Sequence, residues 1–332
     1  MFQAITLIGR RRALFGSAAV CAVVGLLLWW LLPLDKESPS GTITFSTGTA
    51  TGVYQMYGKL LQGAIAKDMP DLNVQLQDSD GSQQNISRVA TGEADFSIAA
   101  ADAVETYLLQ HKPGARRLRG CSRLYDDYVH LVVPRSSPVQ SVEDLRGLKV
   151  AVGPGGSGVR LIANHVLEAA GLDPGKDIEP LAVGIADMPE LLKDHKIDAF
   201  FWSGGLPTNA VQELSKADDI RLVPIGNDLV AKLHEQGGAS RYYRSAVMPA
   251  DAYPAAQRGS AVPTLAVANF LITREDADAN LTEELTRTVI GSRDRIGYVV
   301  HAAQLVDLRT AIYTDPLPLH EGARRYYRSI KP

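Results

Sequence analysis

Cysteine is scarce in this 332-residue chain, which contains only Cys21 and Cys121. Because Cys21 lies in an apolar run and Cys121 stands alone, the sequence excludes a framework of intramolecular disulfides and a cysteine metal cluster. The seven histidines are scattered, and neither a His-x-x-x-His pair nor a Cys-x-x-Cys pair occurs. We therefore predict that the chain has no metal site.

The sequence also lacks a strong excess of one charge. It has 34 Lys and Arg against 37 Asp and Glu, for a net charge of -3, and its basic block at residues 10–12 directly precedes an apolar run. This balance argues against a nucleic-acid partner. With 45% hydrophobic and 21% charged residues, the composition is that of a globular protein, and its length predicts two lobes of roughly 100 to 150 residues each.

One long uncharged run lies near the N-terminus, from Ala13 to Leu34. A run of this length can span a hydrocarbon core of about 30 Å. The arginines of the basic flank at 1–12 and the pair Trp29 and Trp30 near the other end predict a cytoplasmic N-terminus, with the remaining chain outside the cytoplasm. We predict a transmembrane helix that anchors the protein to the inner membrane, followed by a polar linker at 35–41.

Two other fates of residues 13–34 stay open. A cleaved signal peptide would give the same orientation, although the run is longer than the usual apolar region of a signal and ends without a small-x-small site. Lipidation of Cys21 is disfavoured because Val20 precedes it and apolar sequence continues beyond it. All three readings place the folded part on the periplasmic side.

Beyond Thr42, short β-branched runs alternate with amphipathic stretches, which predicts an α/β fold with helices on mostly parallel sheets. We predict strands at 42–46, 73–77, 96–99, 129–133, 149–152, 178–183, 199–202 and 221–224. Helices are predicted at 54–68, 82–91, 159–170 and 186–194.

Two strand-loop-helix units resemble each other. ITFSTG leads through TATG into a helix, and LKVAVG leads through PGGSG into another. Loops of small residues expose backbone N–H groups at a helix N-terminus, where an anionic group is stabilised. We expect the two loops to face each other across a ligand-binding cleft. The candidate ligand-binding residues from these loops are Thr47, Gly48, Thr49, Thr51, Gly52, Gly155, Gly156, Ser157 and Gly158.

Gly153, Gly155 and Gly158 also match the G-x-G-x-x-G pattern of dinucleotide-binding folds. The match lies mid-chain, and no acidic residue ends the next predicted strand, so we predict no cofactor. Ser157 lacks a G-x-S-x-G motif and a motif-linked base, so we predict no catalytic residue and no enzyme activity. A helix-capping or ligand-contacting hydroxyl fits Ser157 better.

Several side chains near these loops are further candidates for ligand binding. Arg160, in the first helical turn, could bind a carboxylate, or it could simply pair with a neighbouring acid. Tyr54 could line an apolar pocket and offer its hydroxyl. Ser82 and Asn85 suit either a ligand or the start of a helix.

Two further ligand-binding candidates and one pair of acids lie at the ends of predicted strands. Trp202 and Gly204 lie at the carboxyl end of a predicted strand, where open α/β sheets bind ligands. Asp126 and Asp127 are adjacent and should point apart, so we expect solvated faces to explain both.

Residues 42–327 as a whole resemble the TAXI-type solute receptors of TRAP transporters, which are ion-driven carriers of bacteria and archaea. The segments that carry the resemblance are STGTATGVYQMYG (46–58), GSQQN (81–85), GEADFSIAAAD (92–102), the stretch from 128 to 160, IDAFFWSGGLPTNAV (197–211), VPTLAVANFL (262–271) and LPLHEGARRYY (317–327).

The resemblance implies a hinged, two-lobed type II periplasmic-binding-protein fold. Lobe 1 would combine 42–132 with 245–332, and lobe 2 would comprise 133–244. It further implies that the protein delivers a small organic solute, an organic acid or amino acid, to separate TRAP permease subunits in the membrane. Where the family often has glycines, this chain has Thr49, Ala50 and Thr51, so the resemblance does not identify the ligand.

Two alternatives from other classes accompany this expectation. A membrane-anchored ligand sensor or interaction module of the same fold would signal to a partner instead of delivering solute. An extracytoplasmic hydrolase is disfavoured, because the sequence assembles no nucleophile, base and orienting group.

Overall fold

Three parallel strands form one half of the sheet. In the computed structural model, which describes residues 38–330, β1 (Gly41–Ser46) pairs with β2 (Leu72–Gln77) and with β3 (Phe96–Ala100). Every residue of β3 is buried, as expected for a parallel strand covered on both faces. The connecting helices are α1 (Val53–Asp68) and α2 (Ser82–Thr91). These elements belong to the first lobe.

Two long antiparallel strands carry the chain between the lobes. β4 (Leu118–Pro134) pairs with β10 (Val262–Arg274) up to Tyr128, and from Tyr128 onward it pairs with β7 (Ala199–Gly204). β10 pairs with β3 in its second half and with β9 (Arg244–Met248) in its first half. Since β4 pairs with β10 on the first-lobe side and with β7 on the second-lobe side, β4 is where a hinge would lie. The lobe boundaries at 132/133 and 244/245 stay predictions.

The second lobe repeats the parallel arrangement. β5 (Lys149–Ala151) lies between β6 (Glu179–Leu181) and β7, and β8 (Ile220–Leu222) pairs with the end of β4. The helix that follows β5 is α4 (Gly158–Ala169). It buries Val159, Ile162, Ala163, Val166 and Leu167, which form one stripe at helical spacing. This stripe fixes the start of α4 beside the carboxyl ends of the strands.

The remaining helices follow or connect these strands along the chain. They are α3 (Ala101–Leu109), α5 (Met188–Lys193), α6 (Asn209–Ala217), α7 (Asn227–Gln236), α8 (Pro254–Gln257), α9 (Ala279–Gly291), α10 (Arg293–Gly297), α11 (Leu308–Ala311) and α12 (Glu321–Ile330). Between residues 38 and 330, no helix is long and apolar enough to cross a membrane. The predicted transmembrane segment at 13–34 lies outside the described residues.

The predicted α/β architecture is confirmed, and every predicted strand and helix has a counterpart. The sheet is mixed, because β4 and β10 run antiparallel to their neighbours. β9, β10 and the first half of β4 were not predicted. Apolar side chains are buried in two clusters, one centred on Phe45 and Leu61 and the other on Val132 and Phe200.

Candidate functional site

A cavity lies between the lobes at the carboxyl ends of β1, β3, β5 and β7, where open α/β sheets bind ligands. Together with the open solvent at its mouth, the space measures about 620 Å³. From the first lobe and β4 it is lined by Gly48, Thr49, Gly52, Val53, Tyr54, Asp80, Gly81, Ser82, Ala100 and Asp127. From the second it is lined by Gly153, Pro154, Ser157, Gly158, Val159, Ile162, Gly184, Ile185, Met188, Trp202 and Ser203.

The two lobes touch across the cavity. Gln83, at the start of α2, donates from Nε2 to the carbonyl oxygen of Ser157 at 2.7 Å. The backbone N–H of Gln84 donates to the carbonyl oxygen of Gly156 at 3.1 Å. These bonds join the helix start of one lobe to the glycine loop of the other, so the structure shows the lobes closed.

The glycine loop permits this close approach. A Cβ atom on Gly156 would lie 3.0 Å from Oδ2 of Asp80, and one on Gly158 would lie 3.1 Å from Oγ of Ser82. A Cβ atom on Gly155 would meet nothing within 4 Å. Gly158 lines the cavity, whereas Gly155 and Gly156 are not among its lining residues. Ligand contact by these three glycines stays a prediction.

Ser157 is the N-cap of α4. Its Oγ accepts a hydrogen bond from the backbone N–H of Arg160 at 3.1 Å and donates to the carbonyl oxygen of Pro154 at 2.7 Å. The predicted capping role is therefore confirmed. The Arg160 side chain does not line the cavity, so its role as a carboxylate ligand stays a prediction.

A chain of hydrogen bonds crosses the first-lobe wall of the cavity. The N–H of Ala100 donates to Oγ of Ser82, which lies 3.0 Å from the Tyr54 hydroxyl, and that hydroxyl donates to Oδ1 of Asn269 on β10. Because Tyr54 has one hydroxyl proton, Ser82 must donate to Tyr54. The predicted ligand residues Tyr54 and Ser82 line the cavity. In this arrangement the Ser82 proton is bonded to Tyr54 and the Tyr54 proton is bonded to Asn269.

Asn85 has a structural role in the cavity floor, by which we mean the ends of β1 and β3 and the loop before α2. It is fully buried, accepts from Ser46 and Ser79 at 2.7 Å each, and donates to the carbonyl oxygens of Thr47 and Ile98 at 2.6 and 2.9 Å. It thereby joins the ends of β1 and β3 to the loop before α2. Neither Asn85 nor Thr47 lines the cavity.

The remaining candidates are divided between the cavity and its surroundings. Gly48, Thr49, Gly52 and Trp202 line the cavity, whereas Thr51 lines a neighbouring groove. Trp202 donates from Nε1 to Oγ1 of Thr208 at 3.0 Å, and a Cβ atom on Gly204 would lie 2.6 Å from that nitrogen. Gly204 is therefore required where Trp202 packs, and it does not line the cavity.

Asp127 and Ser203 line the cavity but were not selected from the sequence. The solvated position expected for Asp127 is wrong: its side chain is buried, with 5% of its surface exposed. Burial raises the pKa of Asp127 to about 7, the neighbouring Asn269 amide opposes this rise, and Asp126 and Asp102 add to it. The only sequence signal was an acid directly before the apolar stretch of β4.

Three helices begin at the cavity without a side-chain cap. The N-cap residues Gly52, Gly81 and Ala100 precede α1, α2 and α3, and none provides a capping side-chain bond. The first N–H groups of a helix have no partner within the helix. These helix starts give one wall of the cavity a positive partial charge.

Among the described residues that line the cavity, none is Lys, Arg or His. Throughout residues 38–330, no group of three or more His, Cys, Asp or Glu side chains is placed to hold a metal ion. The cavity therefore combines backbone donors, two acidic side chains and an apolar wall.

Comparison with known proteins places this geometry in context. The model of the NMT1-like family matches residues 45–330. An ancestral arginine-binding protein bound to arginine is similar in structure, with a TM-score of 0.51, 16% identity, and coverage of 78% of this chain and 98% of that one.

Two further solved structures are similar to the chain. A protein from Bordetella bronchiseptica RB50 has a TM-score of 0.52 and 19% identity, covering 88% of this chain and 90% of its own. A proposed L-cystine ABC transporter protein from Listeria monocytogenes has a TM-score of 0.51 and 14% identity, with coverage of 80% and 98%. At these identities the likeness concerns the fold, and the predicted two-lobed periplasmic-binding-protein fold is confirmed.

Proposed function

The chain belongs to the NMT1-like family, and from this membership and the cavity between its lobes we propose that it is an extracytoplasmic solute-binding receptor. The observation that carries the proposal is that one cavity is lined by both lobes, while direct hydrogen bonds close its rim. A solute held there touches both lobes only in the closed form. Binding of the solute therefore increases the fraction of molecules in the closed form.

The energy required for this shift is modest. Changing an open-to-closed ratio from 99:1 to 1:99 needs about 5.5 kcal/mol of differential affinity. Two or three hydrogen bonds to charged groups, at roughly 1.5 to 3 kcal/mol each, would supply it. Burial of the solute against the apolar wall adds to this.

The helix starts support a carboxylate on the solute. The N-termini of α1 and α2 meet at the cavity without an N-cap side chain, and backbone N–H groups at such positions bind anions. Since no basic side chain lines the cavity among the described residues, these backbone groups would bind the carboxylate without a side-chain counter-ion.

Delivery to a membrane permease is the role that fits a closing receptor best. In this proposal the permease is of the TRAP type, and residues 13–34 hold the receptor beside it on the periplasmic side of the inner membrane. Deletion of the gene should then abolish uptake of the bound solute by intact cells. Normal uptake, with loss of a cellular response to the same solute, would favour the sensor alternative instead.

Trp202 provides a direct test of binding in the cavity. The chain has three tryptophans, at 29, 30 and 202, so replacing Trp29 and Trp30 by Phe leaves a single reporter on the cavity wall. We expect a saturable change in its fluorescence with some of the small organic acids, amino acids, amines and sugars tested.

A thermal-shift measurement on the same protein provides an independent readout. Ligand at 100 times its dissociation constant should stabilise the protein by about 2.7 kcal/mol. Trp202→Phe controls for fluorescence changes that do not come from the cavity. If folded protein free of retained solute responds to no compound in either assay, the receptor proposal fails.

A further inference from the structure

Asp127 occupies an unusual electrostatic position on β4. It pairs with Val267 of β10, one residue before the strand changes partners at Tyr128. Its side chain lines the cavity, and Oδ1 is buried without a hydrogen-bond partner in residues 38–330. A buried carboxylate oxygen without a partner is costly, so this group suits a ligand that supplies one.

The neighbouring acid shows the contrast. Asp126 forms ion pairs with Arg123, at 2.7 Å, and with Arg244. Neither arginine is among the residues that line the cavity. The local arginines therefore balance the charge of Asp126 and leave that of Asp127 to the cavity.

Two further polar atoms near Asp127 also lack partners. Oγ of Ser203, on β7, lines the cavity and is buried without a hydrogen bond, and Nδ2 of Asn269 is likewise buried and unpaired in the described part of the chain. Tyr54 donates to the Asn269 carbonyl oxygen. The amide NH2 group of Asn269 is the side that lowers the pKa of Asp127, but it forms no regular hydrogen bond within the described residues. Ser203 and Val129 are register partners, so Ser203 and Asp127 share one face of the sheet.

The rest of the lining indicates what the solute must provide. Asp80 is a second acid at the cavity, and no described lining residue is cationic. The second-lobe lining includes the apolar side chains Val159, Ile162, Ile185, Met188 and Trp202. A solute bearing only carboxylates would bring more negative charge beside Asp127. A protonated amine would instead donate to its free oxygen and balance its charge.

We propose that Asp127 is the specificity-determining residue of the cavity and binds a protonated amine of the solute, with Ser203 Oγ as a second acceptor. The solute is then a small amphipathic cation or zwitterion whose apolar part packs against Trp202 and Met188. This inference rests on the receptor function proposed above. It goes beyond it by assigning the recognised group and the residue that recognises it.

The test uses matched compounds that differ only at the charged groups. Each set contains an amino acid, the same acid without its amine and the same amine without its carboxylate; leucine, 4-methylpentanoate and 3-methylbutylamine form one set, and phenylalanine, 3-phenylpropanoate and phenethylamine another. Glutamate with glutarate and arginine with 5-guanidinopentanoate extend the range of side chains. Each compound is titrated by calorimetry into the full-length protein in detergent.

Two isosteric variants make the outcome specific. Truncating a buried, hydrogen-bonded charge pair costs at least about 2 kcal/mol, so Asp127→Asn should weaken binding of amine-bearing compounds by about 30-fold or more. Asp126→Asn removes the same charge one residue away and should leave binding unchanged. Ser203→Ala should cost amine-bearing compounds about 5-fold, the loss of one hydrogen bond, and each variant's melting curve verifies that it is folded.

The failures of the two proposals can be distinguished. If an acid without an amine binds as tightly as its amine-bearing counterpart, or if Asp127→Asn keeps full affinity, the assignment of Asp127 is overturned while the receptor function stands. If no compound in any set binds and the Trp202 fluorescence stays constant, the receptor function falls and this inference falls with it.

Discussion

Replacing Asp127 by Asn should stabilise the solute-free protein, and the gain should grow with pH. Burial raises the pKa of Asp127 from 3.8 to about 7. Between these two values the folded protein keeps the proton that the unfolded chain has lost. Stability of the wild type therefore falls as pH rises through this window, and the full penalty remains above about pH 7.

The size of the effect follows from the same shift. A difference of about 3 pKa units at 1.36 kcal/mol each gives an upper limit of about 4 kcal/mol. Asp127→Asn cannot ionise and escapes this penalty. Its advantage over the wild type should increase by about 3 kcal/mol between about pH 5 and about pH 8. Titrating groups that do not interact with Asp127 are common to both proteins and cancel in the difference.

Urea unfolding followed by circular dichroism, without added solute, measures this difference. Asp126→Asn is the control: it removes partly exposed ion pairs, so it should change stability by about 1 kcal/mol or less. If the advantage of Asp127→Asn did not change with pH, or if this variant were less stable than the wild type at about pH 8, the carboxylate would not be buried and unpaired as described.

Three further predictions concern closure and the cavity floor. Gly156→Ala should weaken solute binding, because the added Cβ would press on Asp80. The control Gly155→Ala should bind normally, because its Cβ would meet no atom within 4 Å. Equal calorimetric affinities of the two variants would refute this prediction. Gln83→Ala loses an interlobe hydrogen bond of 2.7 Å, which is worth about 1 kcal/mol. Dissociation of the solute, measured by stopped flow, should therefore be roughly fivefold faster. An unchanged rate would argue against a role of Gln83 in closure. Asn85→Ala removes four buried hydrogen bonds and should cost about 3 kcal/mol in urea unfolding. A loss below about 1 kcal/mol would show that the floor does not depend on Asn85.

Local sequence signals predicted the parallel part of the fold well. β1, β2 and β5 are short runs with a strand pattern, and each is followed by a helix that the sequence also predicts, so both elements are visible within a few residues. The first half of β4 was missed because Arg123 and Asp126 interrupt its apolar pattern. These two side chains satisfy each other, and only the folded sheet shows that they do.

β10 was missed for a related reason. Its partners β3, β4 and β9 include strands far away in the sequence, and no tight turn links β10 to any of them. Strand pairing of this kind is a tertiary property, and a single apolar run does not distinguish it from a buried helix.

The candidate site was predicted in its location but only partly in its chemistry. The small-residue loops at 47–52 and 155–158 indicated the cleft, because uncovered N–H groups at helix starts are a local feature. The close approach of Gly156 to Asp80, by contrast, depends on how the lobes meet. Asp127 was taken for a solvated acid because its neighbour Asp126 looks identical in sequence, and only the position of β4 beneath the cavity separates the two.

The central claim is that the two lobes close on a solute, and the distance between them tests it most directly. Spin labels can be attached at Lys59→Cys on α1 and Lys196→Cys in the second lobe, both at exposed positions. Cys21 is replaced by Ser, and Cys121 is fully buried. Pulsed electron-electron double resonance measures the distance between the two labels. On addition of the tightest-binding compound, a broad distance distribution should narrow to one short distance. An identical distribution with and without saturating compound would contradict closure on a solute.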